Sequence, residues 1–97
     1  MGWQVVFSLR SRTDLRKLVE YIAAADPAAA ERFGLALIAQ AESLANAPHI
    51  GMAMPERPGT RFFPFGSYLI IYRADPAAQT VRILRFWHGA RRQGPLR

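Results

Sequence analysis

The feature that most constrains this chain is one proline, Pro27, set between two stretches of helical periodicity. Before it, Leu15, Leu18, Val19 and Ile22 fall at i, i+3, i+4 and i+7, one face of a helix, with Arg16, Lys17 and Glu20 on the other. After it, Ala30, Phe33, Leu37, Ala41 and Leu44 continue at helical spacing, while Glu31, Arg32, Gln40 and Glu42 fall toward solvent. Proline has no N–H and restricts the residue before it, so a helix cannot run through Asp26-Pro27. The same proline suits the first position of a new helix, with Asp26 as its cap. Two antiparallel helices with a tight connection follow. Ser11 is the predicted N-cap of the first, and Asp14 falls in its first turn, where the helix dipole favours negative charge.

The period then changes. Pro48 closes the second helix, and the chain to Gly59 is rich in proline and glycine, which reads as loop. Thr60 to Phe65 reads as a strand, Gly66-Ser67 as a turn, and Tyr68 to Arg73 as a near-continuous apolar strand suited to the middle of a sheet. Asp75 to Gln79 is the next hairpin loop, and Thr80 to Trp87 the last strand. A strict alternation puts Val81, Ile83, Arg85 and Trp87 on one face and Arg82, Leu84, Phe86 and His88 on the other. Trp3 to Phe7 gives one more strand at the start. The expectation is one α+β domain over residues 1–97. It has an N-terminal strand, a two-helix hairpin, then three antiparallel strands in a small sheet with the helices on one face.

Charge narrows the partners. Thirteen Lys and Arg residues face seven Asp and Glu, a formal net charge of +6, and every cation except Lys17 is arginine. Such a balance points to an acidic partner, whether nucleic acid, an acidic protein segment or anionic lipid. The absence of cysteine excludes disulfides and a thiolate nucleophile and fits a cytoplasmic setting. With two histidines and no cysteine, no metal site is expected, and no motif asks for a cofactor. The start of the chain lacks the marks of a signal peptide, and no apolar run approaches the roughly 18 residues needed to cross a bilayer. No membrane role is expected.

Several runs together resemble a known family. Asp14-Leu15-Arg16-Lys17-Leu18-Val19-Glu20-Tyr21-Ile22 resembles the first helix of ParE-type toxins, and Pro27 to Phe33 the start of their second. Leu44 to Gly51 is similar to the helix stop of these toxins, with Met52 where an arginine usually follows. Gly66 to Arg73 resembles their central strand, and Ile83 to Arg91 their closing strand. The chain thus resembles the RelE/ParE superfamily, the toxins and plasmid stabilisation proteins of type II toxin–antitoxin systems. The resemblance implies neutralisation by a cognate antitoxin with an acidic, partly disordered segment. It implies one of two targets, DNA gyrase or mRNA on the ribosome. It also allows a degenerate relative that only binds antitoxin.

An RNA-cleaving toxin needs a proton carrier and cations aimed at the scissile phosphate. Here His88, Arg61 and Arg85 are the candidates for that chemistry, with Glu56 as a second proton carrier. Against it, the ribonuclease branch carries lysines and an arginine where this chain has Leu69 or Ile70. The gyrase reading needs no catalytic residue. It makes Arg61, Arg73, Arg82, Arg85, Trp87, His88, Arg91 and Arg92 interaction residues for target or antitoxin, since Arg and Trp dominate binding hot spots. Arg85, on an apolar strand face, also invites a structural ion pair with Glu20 or Glu42. A sheet with helices on one side leaves apolar side chains on the other, which suits an antitoxin in a hetero-oligomer or a homodimer.

Overall fold

The computed structural model describes residues 2–89. Strand β1 (Gln4–Phe7) leads into helices α1 (Leu9–Ala23) and α2 (Pro27–Ser43). A single 3₁₀ turn, Leu44–Asn46, extends α2. Four strands follow: β2 (Met52–Ala53), β3 (Thr60–Phe65), β4 (Tyr68–Asp75) and β5 (Thr80–His88). The helical break falls where the proline demanded it. Pro27 opens α2, and the Asp26 side chain accepts from the Ala29 N–H at 3.1 Å.

The α+β class stands, but the sheet differs from expectation in three ways. It has five strands in the order β1-β5-β4-β3-β2. It is mixed, because β1 joins its edge parallel to β5 while the other pairs are antiparallel. The fifth strand, β2, lies inside the segment read as loop; two residues between Gly51 and Pro55 are too few to show alternation.

The start of α1 is a second correction. Ser8, not Ser11, caps it: the Ser8 hydroxyl oxygen accepts from Ser11 N at 3.0 Å. Ser11 is buried inside the first turn, its hydroxyl donating to Ser8 O. Both serines satisfy the local rule for a cap. Ser8 prevails because its hydroxyl also donates to Leu84 O, 76 residues away on β5. Asp14 therefore falls one turn deeper than expected.

The third correction is the phase of β5. The ladder slips between Ile71 and Tyr72, which pair with Arg85 and Ile83, so Leu84 is an extra residue, a β-bulge. Beyond it the faces exchange. Val81, Ile83 and Phe86 all enter the core, together with Ile70 and Tyr72 of β4 and Leu18, Leu37, Ala41 and Leu44 from the helical layer. Arg85 and Trp87 go to the opposite, open face, opposite Ile71 and Leu69. The apolar stripes on both helices meet the sheet as their spacing foretold. The helices pack closely at Gly34, where a Cβ would come 3.0 Å from Val19 Cγ2.

Candidate functional site

Strand β1 pairs with β5 only from Thr80 to Ile83. Past that point the chain turns at Ser8, whose N–H donates to Ile83 O at 3.0 Å, and helix α1 takes over the edge. Asp14, six residues on, directs its carboxylate back at β5. Oδ2 accepts from the Phe86 N–H at 3.1 Å and from Arg85 Nε at 2.7 Å, and Oδ1 accepts from Arg85 Nη2 at 3.2 Å. A side chain here does the work of a neighbouring strand. The ion pair is largely shielded, with Arg85 and Asp14 side chains 17% and 14% exposed. The expectation that Arg85 pairs with Glu20 or Glu42 is thus corrected to Asp14, which the bulge brings within reach.

Arg85 also lies over Trp87, its guanidinium carbon 4.8 Å from the ring centroid. Beside this cluster opens a cleft of about 460 Å³ between α1 and the end of β5, lined among others by Lys17, Tyr21, Tyr68, Trp87 and His88. His88 meets Tyr68 edge-on, centroids 5.0 Å apart. Of the residues singled out in the sequence, the cleft brings together Arg85, Trp87 and His88.

Arg61 is placed elsewhere. It is half-buried on β3, two strands from β5 and hence about 10 Å away in the plane of the sheet. Its Nη1 donates to Gly51 O at 2.8 Å and to His49 O at 3.2 Å. The buried Tyr72 hydroxyl accepts from the Gly51 N–H at 2.9 Å. Burial pushes the Tyr72 phenol above its usual pKa, opposed by that hydrogen bond and by the nearby Arg61 charge. Arg61 and Tyr72 thus staple the segment that follows α2. Sequence reasoning missed Gly51, where a Cβ would lie 2.7 Å from Tyr72 Oη. A glycine followed by an arginine ten residues on gives no local sign of this.

Arg73 and Arg82 occupy a third place, directly opposite one another across β4 and β5 on the open face and both exposed. Arg91 and Arg92 lie outside the described residues. Glu56 is exposed in the loop between β2 and β3. On the open face Leu69 pairs with Trp87, while Ile70 is fully buried toward the helices. Of the two residues at the ribonuclease arginine position, Leu69 is therefore the one on the open surface. Among the described residues no group of three or more His, Asp or Glu is placed to hold a metal ion. None of their helices is long and apolar enough to cross a membrane.

This arrangement, a helical hairpin on one face of a small mixed sheet, is that of bacterial toxin–antitoxin proteins. A solved structure described as a chromosomal ParDE system from P. aeruginosa superposes with a TM-score of 0.75, covering 89% of this chain and 95% of that one, at 19% identity. The RelBE2 toxin–antitoxin complex from Mycobacterium tuberculosis gives a TM-score of 0.69, covering 91% and 99%, at 29% identity. Residues 5–93 match the family described as ParE toxin of type II toxin–antitoxin system, and the chain belongs to that family. It is 32% identical over 89 residues to Toxin RelE1 of Caulobacter vibrioides, covering 92% of this chain and 96% of that protein.

Proposed function

We propose that this protein arrests growth by binding DNA gyrase in the cytoplasm, without chemistry of its own, and that a cognate antitoxin with an acidic segment neutralises it. The carrying observation is the dispersal of the groups that RNA cleavage would need. Arg85 is neutralised by Asp14. Arg61 is committed to the carbonyls of His49 and Gly51, two strands from His88. Phe62, Leu69 and Trp87 populate the part of the open face nearest Arg85, and the cations Arg73 and Arg82 lie toward the other end of the strands from His88. A phosphoryl-transfer site needs proton carrier and cations around one phosphate. A binder needs rigid arginine and aromatic anchors, which Trp87 under Arg85 supplies.

The second reading, an mRNA endoribonuclease on the ribosome, draws support from the cleft that joins His88 with Lys17 and Tyr21. Induced expression in a bacterium carrying a DNA-damage reporter separates the two. Growth arrest with reporter induction is the expected result. Arrest with a silent reporter transfers the assignment to the ribonuclease, and normal growth with folded protein leaves a relative that only binds antitoxin.

A further inference from the structure

Two arginines, Arg73 and Arg82, stand side by side on neighbouring strands of the open face, both exposed. Arg73 and Arg82 are direct register partners, and like charges in that position destabilise a sheet. Neither makes an ion pair with a described carboxylate. The acid of the same hairpin, Asp75, turns its Oδ1 to the Ala77 and Ala78 N–H groups at 3.1 and 3.3 Å.

Arg73 is also held in place. Its Nη1 donates to the buried Thr60 hydroxyl at 3.0 Å. Its Nη2 lies where a Cβ on Gly59 would come within 2.8 Å, and Gly59 has a φ of +84° that side chains rarely adopt. The two arginines line a shallow cavity of about 390 Å³ with Thr80 and Asp75. A positioned guanidinium fork that shares a cavity with a second arginine is suited to an oxyanion.

Both carboxylates and phosphodiesters are oxyanions, and the surroundings favour the first. A nucleic acid strand needs a row of cations along its backbone. Here Asp75 borders the pair at the hairpin end, and the face continues the other way, past the buried Ile71, to the half-buried Leu69 and Trp87. A peptide carboxylate followed by apolar side chains matches that sequence of surfaces. We propose that the Arg73–Arg82 pair anchors a side-chain carboxylate of an acidic and apolar protein segment that crosses the open face of the sheet. The partner's identity, the antitoxin, rests on the toxin reading above; the anion site rests on the two arginines.

The test measures affinity of the purified chain for the product of the adjoining reading frame, the candidate antitoxin. It compares wild type, Arg82→Glu, and a control with Arg16→Gln and Arg32→Gln. The control lowers net charge by the same amount from exposed helical positions. Arg82→Glu is expected to bind at least tenfold more weakly than wild type and control. It is also expected to melt at a higher temperature, because the new carboxylate pairs with Arg73. Equal binding by Arg82→Glu and wild type overturns the anchor while leaving the toxin reading intact. So does an equal loss in the control, which assigns the effect to net charge. Failure of the wild type to bind the adjoining product overturns the antitoxin reading and the protein partner with it. A labelled DNA duplex or RNA strand whose binding alone falls in Arg82→Glu makes the surface one for nucleic acid and overturns the proposal.

Discussion

Asp14 and Arg85, 71 residues apart in sequence, meet at 2.7 Å, and the same carboxylate oxygen accepts the N–H of Phe86. One side chain thus fixes the entry of α1, finishes the edge of β5 and presents Arg85 over Trp87. Asp14→Ala leaves a shielded guanidinium without its counter-charge and a strand N–H without its acceptor. The expected cost is about 3 kcal/mol in urea unfolding. Asp14→Leu combined with Arg85→Met should cost less than Asp14→Ala alone, since no lone charge remains. Additive losses across the two positions would mean the pair is not coupled.

The Tyr72 hydroxyl gives an alkaline signature. Its folded pKa is raised by burial, so the fold holds the neutral phenol while the unfolded chain releases its proton near pH 10. The contribution of this group is fully present below about pH 10 and is lost as pH rises toward the folded value. Tyr72→Phe should flatten that loss in denaturant titrations between neutral and strongly alkaline pH. At neutral pH it should cost about 1–3 kcal/mol, because the Gly51 N–H loses its acceptor. A variant that keeps the wild-type alkaline slope would assign that slope to other groups.

Gly51 allows that contact. A Cβ there would approach Tyr72 Oη at 2.7 Å and Phe62 O at 2.9 Å. Gly51→Ala should therefore destabilise by about 2 kcal/mol through overpacking. Thermal melting checks it; an unchanged melting temperature would show that the segment after α2 can move aside.

For function, His88→Ala is the discriminating substitution. If the protein acts by binding gyrase, cellular mRNA should stay intact after induction of either the wild type or His88→Ala, whatever the substitution does to growth. Cleavage of mRNA by the wild type that is lost in a soluble, folded His88→Ala variant would falsify the binder reading and make His88 the proton carrier of a ribonuclease.

The helical layer was legible in the sequence because its determinants are local: a proline, its cap, and apolar residues three and four apart. The central strand was legible for the same reason, as Tyr68 to Arg73 has few ways to be placed other than inside a sheet. The bulge at Leu84 was not, since nothing in Ile83-Leu84-Arg85 marks an extra residue; it emerges only from pairing with Ile71 and Tyr72. That one slip reassigned Arg85, Trp87 and Phe86, and with them half of the candidate site. The choice of Ser8 over Ser11 as cap, and of Asp14 over Glu20 or Glu42 as ion partner, likewise depends on contacts more than 70 residues long in sequence. Arg61 was legible as a cation but not as a staple, because its acceptors are main-chain carbonyls that any residue type provides.

The parallel pairing of β1 with β5 joins the first and last strands of the described residues. During synthesis β1 must wait, unpaired, until β5 leaves the ribosome, and the bonds that Ser8 and Asp14 make to β5 must wait with it. Such long-range closure is slow compared with helix formation. The site beside Arg85 and Trp87 cannot assemble on a nascent chain before β5 has emerged, so the helices stand ready well ahead of the surface they help to build.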